Sequence, residues 1–403
     1  MWLLIAGRGI IHMKKKLKDV CDFYSGTGFP TQYQGEDKGD YPFYKVGDIA
    51  KNVTVGNIYL ELCSNYIDDV VVKKIKGCIL PENTVVFAKI GEALKLNRRA
   101  ITSCACLVDN NVMGIAPRSE VLRIQYFYFL MKNLQLQTLA ESTTVPSVRK
   151  TRLEKYEIEV PSLLEQEEIE KKLIFMQKVI TKRKLELLSL DNLVKARFIE
   201  VFGDPKDNPF GWKVTPLSNL IMLANNGMSR RGNDKNGNIV IRLVELQDGY
   251  IDYSNPNRIQ LTEMEKEKYL LQDGDFLFVR VNGNPSNVGR CAVFSDVGEN
   301  IYHNDHIIRV HFNEKLLDGL FASVFINSNY GKRQFMSQIK TSAGQYTISQ
   351  NGIGAVLIIL PPIELQREFA DFVRQITKSK SVIEKSLKEL ETLQASLMQK
   401  YFS

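Results

Sequence analysis

Four short stretches of the sequence contain side chains that could bind a metal ion or carry out group transfer. The stretch His303-Asn-Asp-His306, together with His311, contains the imidazole and carboxylate groups that Zn²⁺ binds. The glycines of Phe23-Tyr-Ser-Gly-Thr-Gly28 could bind a methyl donor. Asp207-Asn-Pro-Phe210 could bind an adenine flipped out of a duplex. Gln338-Ile-Lys340 is a fragment of a metal-dependent nuclease cluster.

None of these stretches forms a complete catalytic motif. A strand expected over Tyr302–Phe312 would place His303 and His306 on opposite faces of a sheet. The glycines after Phe23 are one place out of step with the methyl-donor pattern, and the stretch that begins at Asp207 lacks the second proline of the adenine-binding loop. The sequence also contains neither a phosphate-binding Walker loop nor an HExxH zinc motif. It therefore favours binding over catalysis.

Polar and basic side chains that suit DNA recur at matching places in the two halves of the chain. Arg, Lys, Asn and Gln can make paired hydrogen bonds to base edges, and Ser and Thr suit phosphates. The candidates are, in the first half, Lys89, Lys95, Asn97, Arg98, Arg99, Thr143, Thr144, Ser147 and Arg149, and in the second half, Arg230, Arg231, Arg280, Asn282, Asn284, Arg290, Gln345 and Tyr346. Basic loops are usually solvated surface, but their recurrence in both halves favours DNA binding.

A long helical run follows each set of loops and must help to position it. Pro161 opens the first run and Pro361 opens the second, 200 residues later, and the runs end near Phe202 and at Phe402. At 1.5 Å per residue each helix would be roughly 60 Å long, and neither could bury its apolar heptad stripe alone. The polar interruptions of the stripes are Arg183, Arg197, Lys380 and Gln394. The residues expected to pair the helices are Leu173, Ile180, Leu187, Leu190, Val373, Ile376, Ile383, Leu387, Leu390 and Leu397.

The repeat predicts a mixed α/β chain with a pseudo-two-fold internal repeat. Two similar α/β globular domains would be separated by two long antiparallel helices that form a coiled coil. Within the domains, β-rich runs are expected at Ile101–Val108 and Tyr302–Phe312, and a helix at Gln125–Leu139. The expected boundaries are 1–160 for the first domain, 161–203 for the first spacer helix, 204–360 for the second domain and 361–403 for the second spacer helix.

Composition is compatible with this organisation. A length of 403 residues with 44% hydrophobic content is enough for two or three packed domains, and the net charge of +7 suits a polyanionic partner without requiring one. The six cysteines include a single close pair, Cys104-Ala-Cys106, so a reducing cytoplasm is the expected location. No apolar run reaches about 18 residues, so no membrane span is expected. Because Met13-Lys-Lys-Lys-Leu-Lys is a more natural beginning, residues 1–12 are interpreted as an upstream extension.

Four motifs make the chain resemble the specificity (S) subunits of type I restriction-modification systems. Two are the helix entries Val160-Pro-Ser-Leu-Leu-Glu-Gln166 and Leu360-Pro-Pro-Ile-Glu-Leu-Gln366, which are similar to the family's Pro-Pro-Leu-x-Glu-Gln. The third is the helix exit Ala196-Arg-Phe-Ile-Glu-Val-Phe-Gly-Asp-Pro205, with Gly211-Trp212 beyond it. The fourth is Ser342-Ala-Gly-Gln-Tyr-Thr-Ile-Ser349, close to the family's Gly-x-x-Gln-x-x-Ile-Ser; the first half has Thr-Thr-Val-Pro-Ser-Val in its place.

The resemblance implies a non-enzymatic subunit with two target-recognition domains, each reading one part of a split DNA site. Two methyltransferase subunits would dock on the helices and methylate adenine N6 with S-adenosylmethionine, and ATP-dependent restriction subunits would join them. No cofactor is expected in this chain itself. Two alternatives remain open from the residues alone: a self-contained DNA methyltransferase or nuclease, and a coiled-coil scaffold that binds only protein.

Overall fold

The computed structural model describes residues 13–141, 145–342 and 344–402. The chain divides into two compact units. The first contains the described residues as far as Leu185 together with those from Lys385 onward, and the second contains Glu186–Glu384. The proposed extension at 1–12 and the candidate residues Thr143 and Thr144 lie outside the described residues.

The first unit is built on a five-stranded sheet beside a three-stranded sheet and a two-stranded pair. Its strands are β1 Met13–Lys16, β2 Cys21–Ser25, β3 Tyr41–Tyr44, β4 Tyr59–Leu60, β5 Tyr66–Ile67, β6 Val85–Ala88, β7 Ala100–Thr102, β8 Leu107–Val108, β9 Val112–Pro117 and β10 Glu157–Val160. Its short helices are α1 Leu17–Val20, α2 Val46–Thr54, α3 Asp69–Lys74, α4 Glu92–Lys95, α5 Ile124–Asn133 and α6 Lys150–Glu154. The sheet orders are β2-β9-β6-β7-β4, β5-β3-β8 and β1-β10.

The long helix α7, Leu163–Phe202, begins in the first unit and ends in the second. The strands of the second unit are β11 Lys213–Pro216, β12 Ile221–Asn226, β13 Asn238–Ile241, β14 Arg258–Ile259, β15 Phe276–Val279, β16 Val281–Asn282, β17 Cys291–Val293, β18 Ile301–His303, β19 Ile307–Phe312, β20 Lys340–Ser342, β21 Gln345–Thr347 and β22 Leu357–Leu360. Its short helices are α8 Glu263–Tyr269, α9 Gly319–Asn327, α10 Asn329–Gln338 and α11 Gln350–Gly354, and α12, Ile363–Phe402, follows.

The second unit repeats the plan of the first. Its sheets have the orders β12-β19-β15-β17, β14-β13-β18 and β11-β22, which match those of the first unit strand for strand except for β4. The strands β6 and β15 are apolar throughout and buried on both faces, as the centre of a sheet covered on two sides requires. The predicted mixed α/β fold with an internal repeat is therefore confirmed.

One element distinguishes the two units. In the second unit the hairpin β20–β21 pairs with β16 to form an additional three-stranded sheet. In the first unit the described residues of the matching segment form one β-bridge, between Ile90 and Ser147.

Two expected β-rich runs are each divided by a turn. Ile101–Val108 is split between β7 and β8, and Tyr302–Phe312 is split between β18 and β19, which belong to different sheets. Asn304 forms the second turn, because its backbone oxygen accepts from Ile307 N–H at 3.0 Å and its Oδ1 accepts from His306 N–H at 3.2 Å. A single strand over Tyr302–Phe312 was therefore a wrong prediction, since apolar alternation does not reveal a turn made by an asparagine.

Segments of α7 and α12 run antiparallel within each unit. In the first unit Gln394 Nε2 lies 3.3 Å from Gln177 Oε1, and Lys184 Nζ lies 2.8 Å from Glu391 Oε1. In the second unit Lys380 Nζ donates to Asp191 Oδ1 at 2.7 Å, and the rings of Phe198 and Phe369 are 5.6 Å apart. In both units the residue number rises along α7 as it falls along α12.

Of the ten residues expected to pair the helices, three are buried and seven are half-buried. The buried ones are Leu173, Ile180 and Val373. Arg197 does not lie in the seam, because its side chain is 45% exposed and bonds to Glu200, whereas Phe198 is buried. A helix with 3.6 residues per turn drifts from a strict heptad by about 20° per repeat, which moves the stripe to the next residue.

A buried glutamine fixes the start of each long helix in the same way. Gln166 Oε1 accepts from Arg123 N–H at 2.9 Å, and its Nε2 donates to the carbonyl oxygens of Val121 and Pro161. In the second unit Gln366 makes the three corresponding bonds, to Asp318, Leu316 and Pro361. These are the glutamines that end the two helix-entry motifs. Each one joins a long helix to the loop before the helix packed beside it.

Candidate nucleic-acid interface

The segment that contains Ser147 and Arg149 lies against the turn at Lys89 in the first unit. Lys89 follows β6, and its backbone oxygen accepts from Val148 N–H at 2.9 Å. Gly91 N–H donates to Pro146 O at 2.8 Å beside it. The exposed Arg149 forms an ion pair with Glu141 at 2.6 Å. Two clusters that are far apart in the sequence are thus brought to one edge of this unit.

The turn at Lys95–Arg99 is more internally bonded than the sequence suggested. Arg99 is 2% exposed, its guanidinium lies 4.9 Å from the ring centre of Phe87, and burial lowers its pKa to about 9. It donates to Asn97 Oδ1 at 2.5 Å, and Asn97 Nδ2 donates to Lys132 O at 2.9 Å. Arg99 therefore stabilises the turn and does not present its guanidinium to solvent. Lys95 is exposed and bonds to Glu92 at 2.6 Å, and Arg98 is half-buried.

Arg280 occupies in the second unit the place that Lys89 has in the first. It follows β15, and its backbone oxygen accepts from Ile348 N–H at 2.9 Å. The next residues form β16, in which Asn282 pairs with Tyr346 of β21. Gln345 is exposed at the start of β21. The structure thus brings four candidate residues to the hairpin edge, which we define as Arg280, Asn282, Gln345 and Tyr346.

Three other candidate arginines of this unit are bonded to carboxylates. Arg230 Nε donates to Glu265 at 2.9 Å, which lowers the pKa of that carboxyl, and Arg231 bonds to Asp305 at 2.8 Å. Arg290 lies 3.3 Å from Asp248 and is only 22% exposed in its side chain. Asn284 caps a short turn, its Oδ1 accepting from Ser286 N–H at 3.0 Å. Arg280, in contrast, donates to a neutral acceptor, the carbonyl oxygen of Asp305, at 3.1 Å.

A polar cavity of about 340 Å³ opens beside the hairpin edge. Its lining includes Asn226, Arg280, Lys340, Thr347, Ser349 and Gln350. Sequence reasoning placed only Arg280 among the DNA-binding candidates. The internal repeat of the sequence drew attention to the segment that contains Thr347 and Ser349. Nothing in the sequence marked Asn226 as a site residue, because it is the pairing of β12 in the sheet that brings Asn226 to the cavity.

The candidate metal-binding histidine of the second unit lies in the protein interior. His303 is fully buried, its Nδ1 lies 3.3 Å from Tyr269 O, and burial lowers its pKa to about 3. Among the residues that the structure describes, no group of three His, Cys, Asp or Glu side chains could hold a metal ion. Cys106 is buried and Cys104 is exposed. Within the same described ranges, no helix is both long and apolar enough to cross a membrane.

Comparisons with known proteins agree with the fold. The chain is 28% identical over 278 residues to the StySPI specificity subunit of a type I restriction enzyme from Salmonella potsdam, an alignment that covers 66% of this chain and 60% of that protein. It is 24% identical over 286 residues to the EcoKI specificity subunit of Escherichia coli K12, covering 66% of this chain and 61% of that protein. These alignments thus span about 60% of the length of the two curated relatives.

A solved structure has the same fold over nearly the whole chain. The crystal structure of the type I restriction-modification S subunit from M. genitalium matches with a TM-score of 0.57 at 14% identity, covering 98% of this chain and 97% of that one. The family model described as the type I restriction modification DNA specificity domain matches twice, at residues 12–189 and 209–392. Because these two matches cover most of the sequence, the chain belongs to the family of type I restriction modification DNA specificity domain proteins.

Proposed function

We propose that this chain is the DNA-specificity subunit of a type I restriction-modification assembly and that each unit reads one part of a split double-stranded target. The family match and the duplicated fold support this assignment. Two copies of one fold can read two different DNA sequences when the side chains on their DNA-contacting surfaces differ. The chain itself performs no catalysis and recruits subunits that do.

A basic residue at the same place in both units is the observation that carries the proposal. Lys89 and Arg280 follow equivalent central strands, and each has a backbone oxygen that accepts from the segment before β10 or β22. The neighbouring side chains differ, with Ser147 and Arg149 in one unit and the hairpin edge in the other. A retained basic position with divergent neighbours is what a shared DNA-binding mode with separate specificities requires.

The long helices serve as spacer and as docking surface in this proposal. The domain limits 1–160, 161–203, 204–360 and 361–403 remain our division of the chain by function. Large apolar side chains stay exposed on the helices, such as Leu164 (79%), Phe175 (66%) and Val382 (68%). In this proposal these side chains become covered where a partner subunit docks on the helices. The partners are two adenine-N6 methyltransferase subunits that carry S-adenosylmethionine and restriction subunits that use ATP, assembled in the cytoplasm.

Exchange of one domain tests the proposal directly. Residues 204–360 are replaced by the corresponding segment of another family member, and the chain is expressed with its methyltransferase partners. Methylation-sensitive sequencing of the host genome then identifies the modified sites. We expect one half of the target to change and the other half to remain, because each unit reads its own part.

The reciprocal exchange of residues 13–160 is the matched control, and it should change the other half alone. Alteration of both halves by either exchange would contradict independent readers. Tight calorimetric binding of S-adenosylmethionine to the isolated chain would instead favour a self-contained methyltransferase. Absence of salt-dependent affinity for duplex DNA would favour a protein-only scaffold, since phosphate contacts weaken steeply as salt rises.

A further inference from the structure

The polar cavity of the second unit has a lining suited to one particular kind of ligand. Arg280 and Lys340 supply positive charge, Thr347 and Ser349 supply hydroxyl groups, and Gln350 supplies an amide. No acidic side chain is among the described residues that line it. Arginine, lysine, hydroxyl and amide groups together are the side chains that contact phosphate oxygens in protein–DNA complexes.

The acidic residue that Arg280 contacts does not pair its carboxylate with Arg280. Asp305 is the acidic residue beside Arg280, but its carboxylate bonds to Arg231 at 2.8 Å. The guanidinium of Arg280 donates a hydrogen bond to the backbone oxygen of Asp305. Because a guanidinium has several N–H groups, others remain able to donate to a ligand. Lys340 is exposed at the start of β20. The cavity therefore carries net positive charge.

The size of the cavity limits what it can hold. A volume of about 340 Å³ lies at the lower end of the roughly 300–1,000 Å³ found for small-molecule sites. One phosphate with its sugar fits such a space better than a longer segment does. Asn226 and Gln350 bond to each other at 3.3 Å across part of the lining, which holds this part of the wall in place before a ligand arrives.

We infer that this cavity binds one phosphodiester group of the DNA backbone between Arg280 and Lys340. The inference rests on the proposed function and assigns the roles within it. The phosphate contact positions the second unit on the duplex without regard to sequence. Asn282, Gln345 and Tyr346, which lie on the same small sheet, are then placed to contact bases.

The first unit shows why the inference is specific to the second. Lys89 matches Arg280, but Ala140 stands 200 residues before Lys340 and contributes no charge. Arg149 stands 200 residues before Ser349 and is bonded to Glu141 at 2.6 Å. The first unit thus has a basic edge of different composition at this place, and we assign the cavity contact to the second unit alone.

The test measures binding of the full chain to labelled duplexes by fluorescence anisotropy across a range of salt concentrations. The double variant Arg280→Gln/Lys340→Gln is compared with Lys315→Gln/Arg367→Gln. The control removes the same two residue types from exposed positions, Lys315 just after β19 and Arg367 on α12, where it donates to Glu314 O. We expect the first variant to lose about tenfold or more in affinity. The loss should be equal for target and scrambled duplexes, and the slope of log affinity against log salt should fall by about one.

The possible outcomes separate the cavity from the proposed function. If the unsubstituted chain shows no salt-dependent duplex binding, both the proposed function and the inference fail. If it binds duplexes but the cavity variant matches the control variant, only the inference fails. A loss confined to the target duplex would make Arg280 and Lys340 base readers and overturn the phosphate assignment.

A second arm distinguishes DNA backbone from a free nucleotide, which offers the same phosphate chemistry. The chain is titrated calorimetrically with AMP and, separately, with inorganic phosphate. We expect no saturable binding of either, because the duplex supplies the other contacts that hold its backbone in place. Saturable AMP binding that the double variant abolishes, with duplex affinity unchanged, would assign the cavity to a free nucleotide. The single variant Lys340→Gln is a further test of the cavity. Because Lys340 is exposed, this substitution should not disturb folding.

Discussion

The central strand pair is packed differently in the two units although its hydrogen bonds are equivalent. In the first unit Val86 pairs with Gly114, and a Cβ on that glycine would lie 2.5 Å from Leu80 Cδ2. In the second unit Leu277 pairs with Arg309 at the same place. Arg309 is buried, donates to Asn225 and Leu270, and lies 3.7 Å from Asp275, which is 1% exposed.

This difference shows that the topology does not depend on one kind of interior. The first unit fills the space with Leu80, which packs against a glycine. The second fills it with the ion pair of Arg309 and Asp275, and His311 Nδ1 lies 3.0 Å from Asp275 Oδ1. Buried ion pairs gain little net stability over apolar packing, but breaking one is costly. The two units should therefore respond very differently to substitution at equivalent positions.

The largest expected effect comes from removing Arg309. The variant Arg309→Met leaves Asp275 buried without its cationic partner, and we expect the free energy of unfolding of the second unit to fall by about 3–5 kcal/mol. Urea unfolding followed by the fluorescence of Trp212, in a background with Trp2→Phe, reports on this unit because Trp212 donates to Phe202 O at 2.9 Å within it.

The control for this variant is Lys266→Met, which breaks an exposed pair with Glu263 at 2.8 Å. Exposed pairs of this kind contribute about 0.2–1 kcal/mol. A second comparison removes both charges with Arg309→Met/Asp275→Asn, which should recover part of the loss. If Arg309→Met costs no more than the control, the cluster does not stabilise the unit as a buried ionic network.

The next effect concerns a feature that the two units share. Gln166→Leu and Gln366→Leu each remove the three hydrogen bonds, of 2.8 to 3.1 Å, that a buried glutamine side chain makes at the start of a long helix. We expect each variant to destabilise its own unit by about 2–3 kcal/mol, since each buried bond contributes about 1 kcal/mol. Hydrogen exchange with mass spectrometry should show faster exchange at 121–123 in one variant and at 316–318 in the other.

Gln375→Leu, on an exposed part of α12, is the control for these two variants and should leave both regions unchanged. Equal losses of stability in Gln166→Leu and Gln366→Leu would show that the two helix entries are equivalent, although the interiors of the two units differ. A loss in one unit alone would contradict an equivalent role for the two glutamines.

The elements that recur in the sequence were the ones it could predict. The helices α7 and α12 were located within two residues of their ends, because an apolar heptad stripe sustained over about 40 residues is typical of a long helix that packs against another helix. The repeat of the fold followed from the spacing of Pro161 and Pro361. The entry glutamines were noticed as motif residues, but their bonding to loops far away in the sequence could not be inferred from spacing.

The features that depend on long-range contacts could not be predicted. Arg99 resembled a surface residue of a basic loop, and only the packing of Phe87 beneath its guanidinium shows that it is buried. Arg309 carried no sign of burial, because its partner Asp275 is far away in the sequence and immediately precedes β15, the strand paired with β19. The sequence could not assign the exposed DNA-binding candidates to bases or to phosphates, because the conformation of a loop decides which of the two a side chain meets.

The smallest effect concerns the titration of one buried histidine and again separates the units. His303 accepts a backbone bond from Met228 where Val108 accepts the equivalent bond from Thr27, so only the second unit has an ionisable group there. Burial first, and the nearby positive charge of Arg309 second, lower the pKa of His303 from 6.5 to about 3.

The sign of the pH dependence follows from the direction of this shift. Above about pH 6.5 His303 is neutral in both the folded and the unfolded chain, so its contribution to stability does not vary. Between about pH 6.5 and 3 the unfolded chain binds a proton that the folded unit does not, and stability falls as the pH falls. The slope from this one group approaches about 1.4 kcal/mol per pH unit. Trp212-monitored urea unfolding from about pH 7 to 5 should therefore have a shallower slope in His303→Gln, whatever that variant's stability at neutral pH, and equal slopes would show that His303 can be protonated in the folded unit.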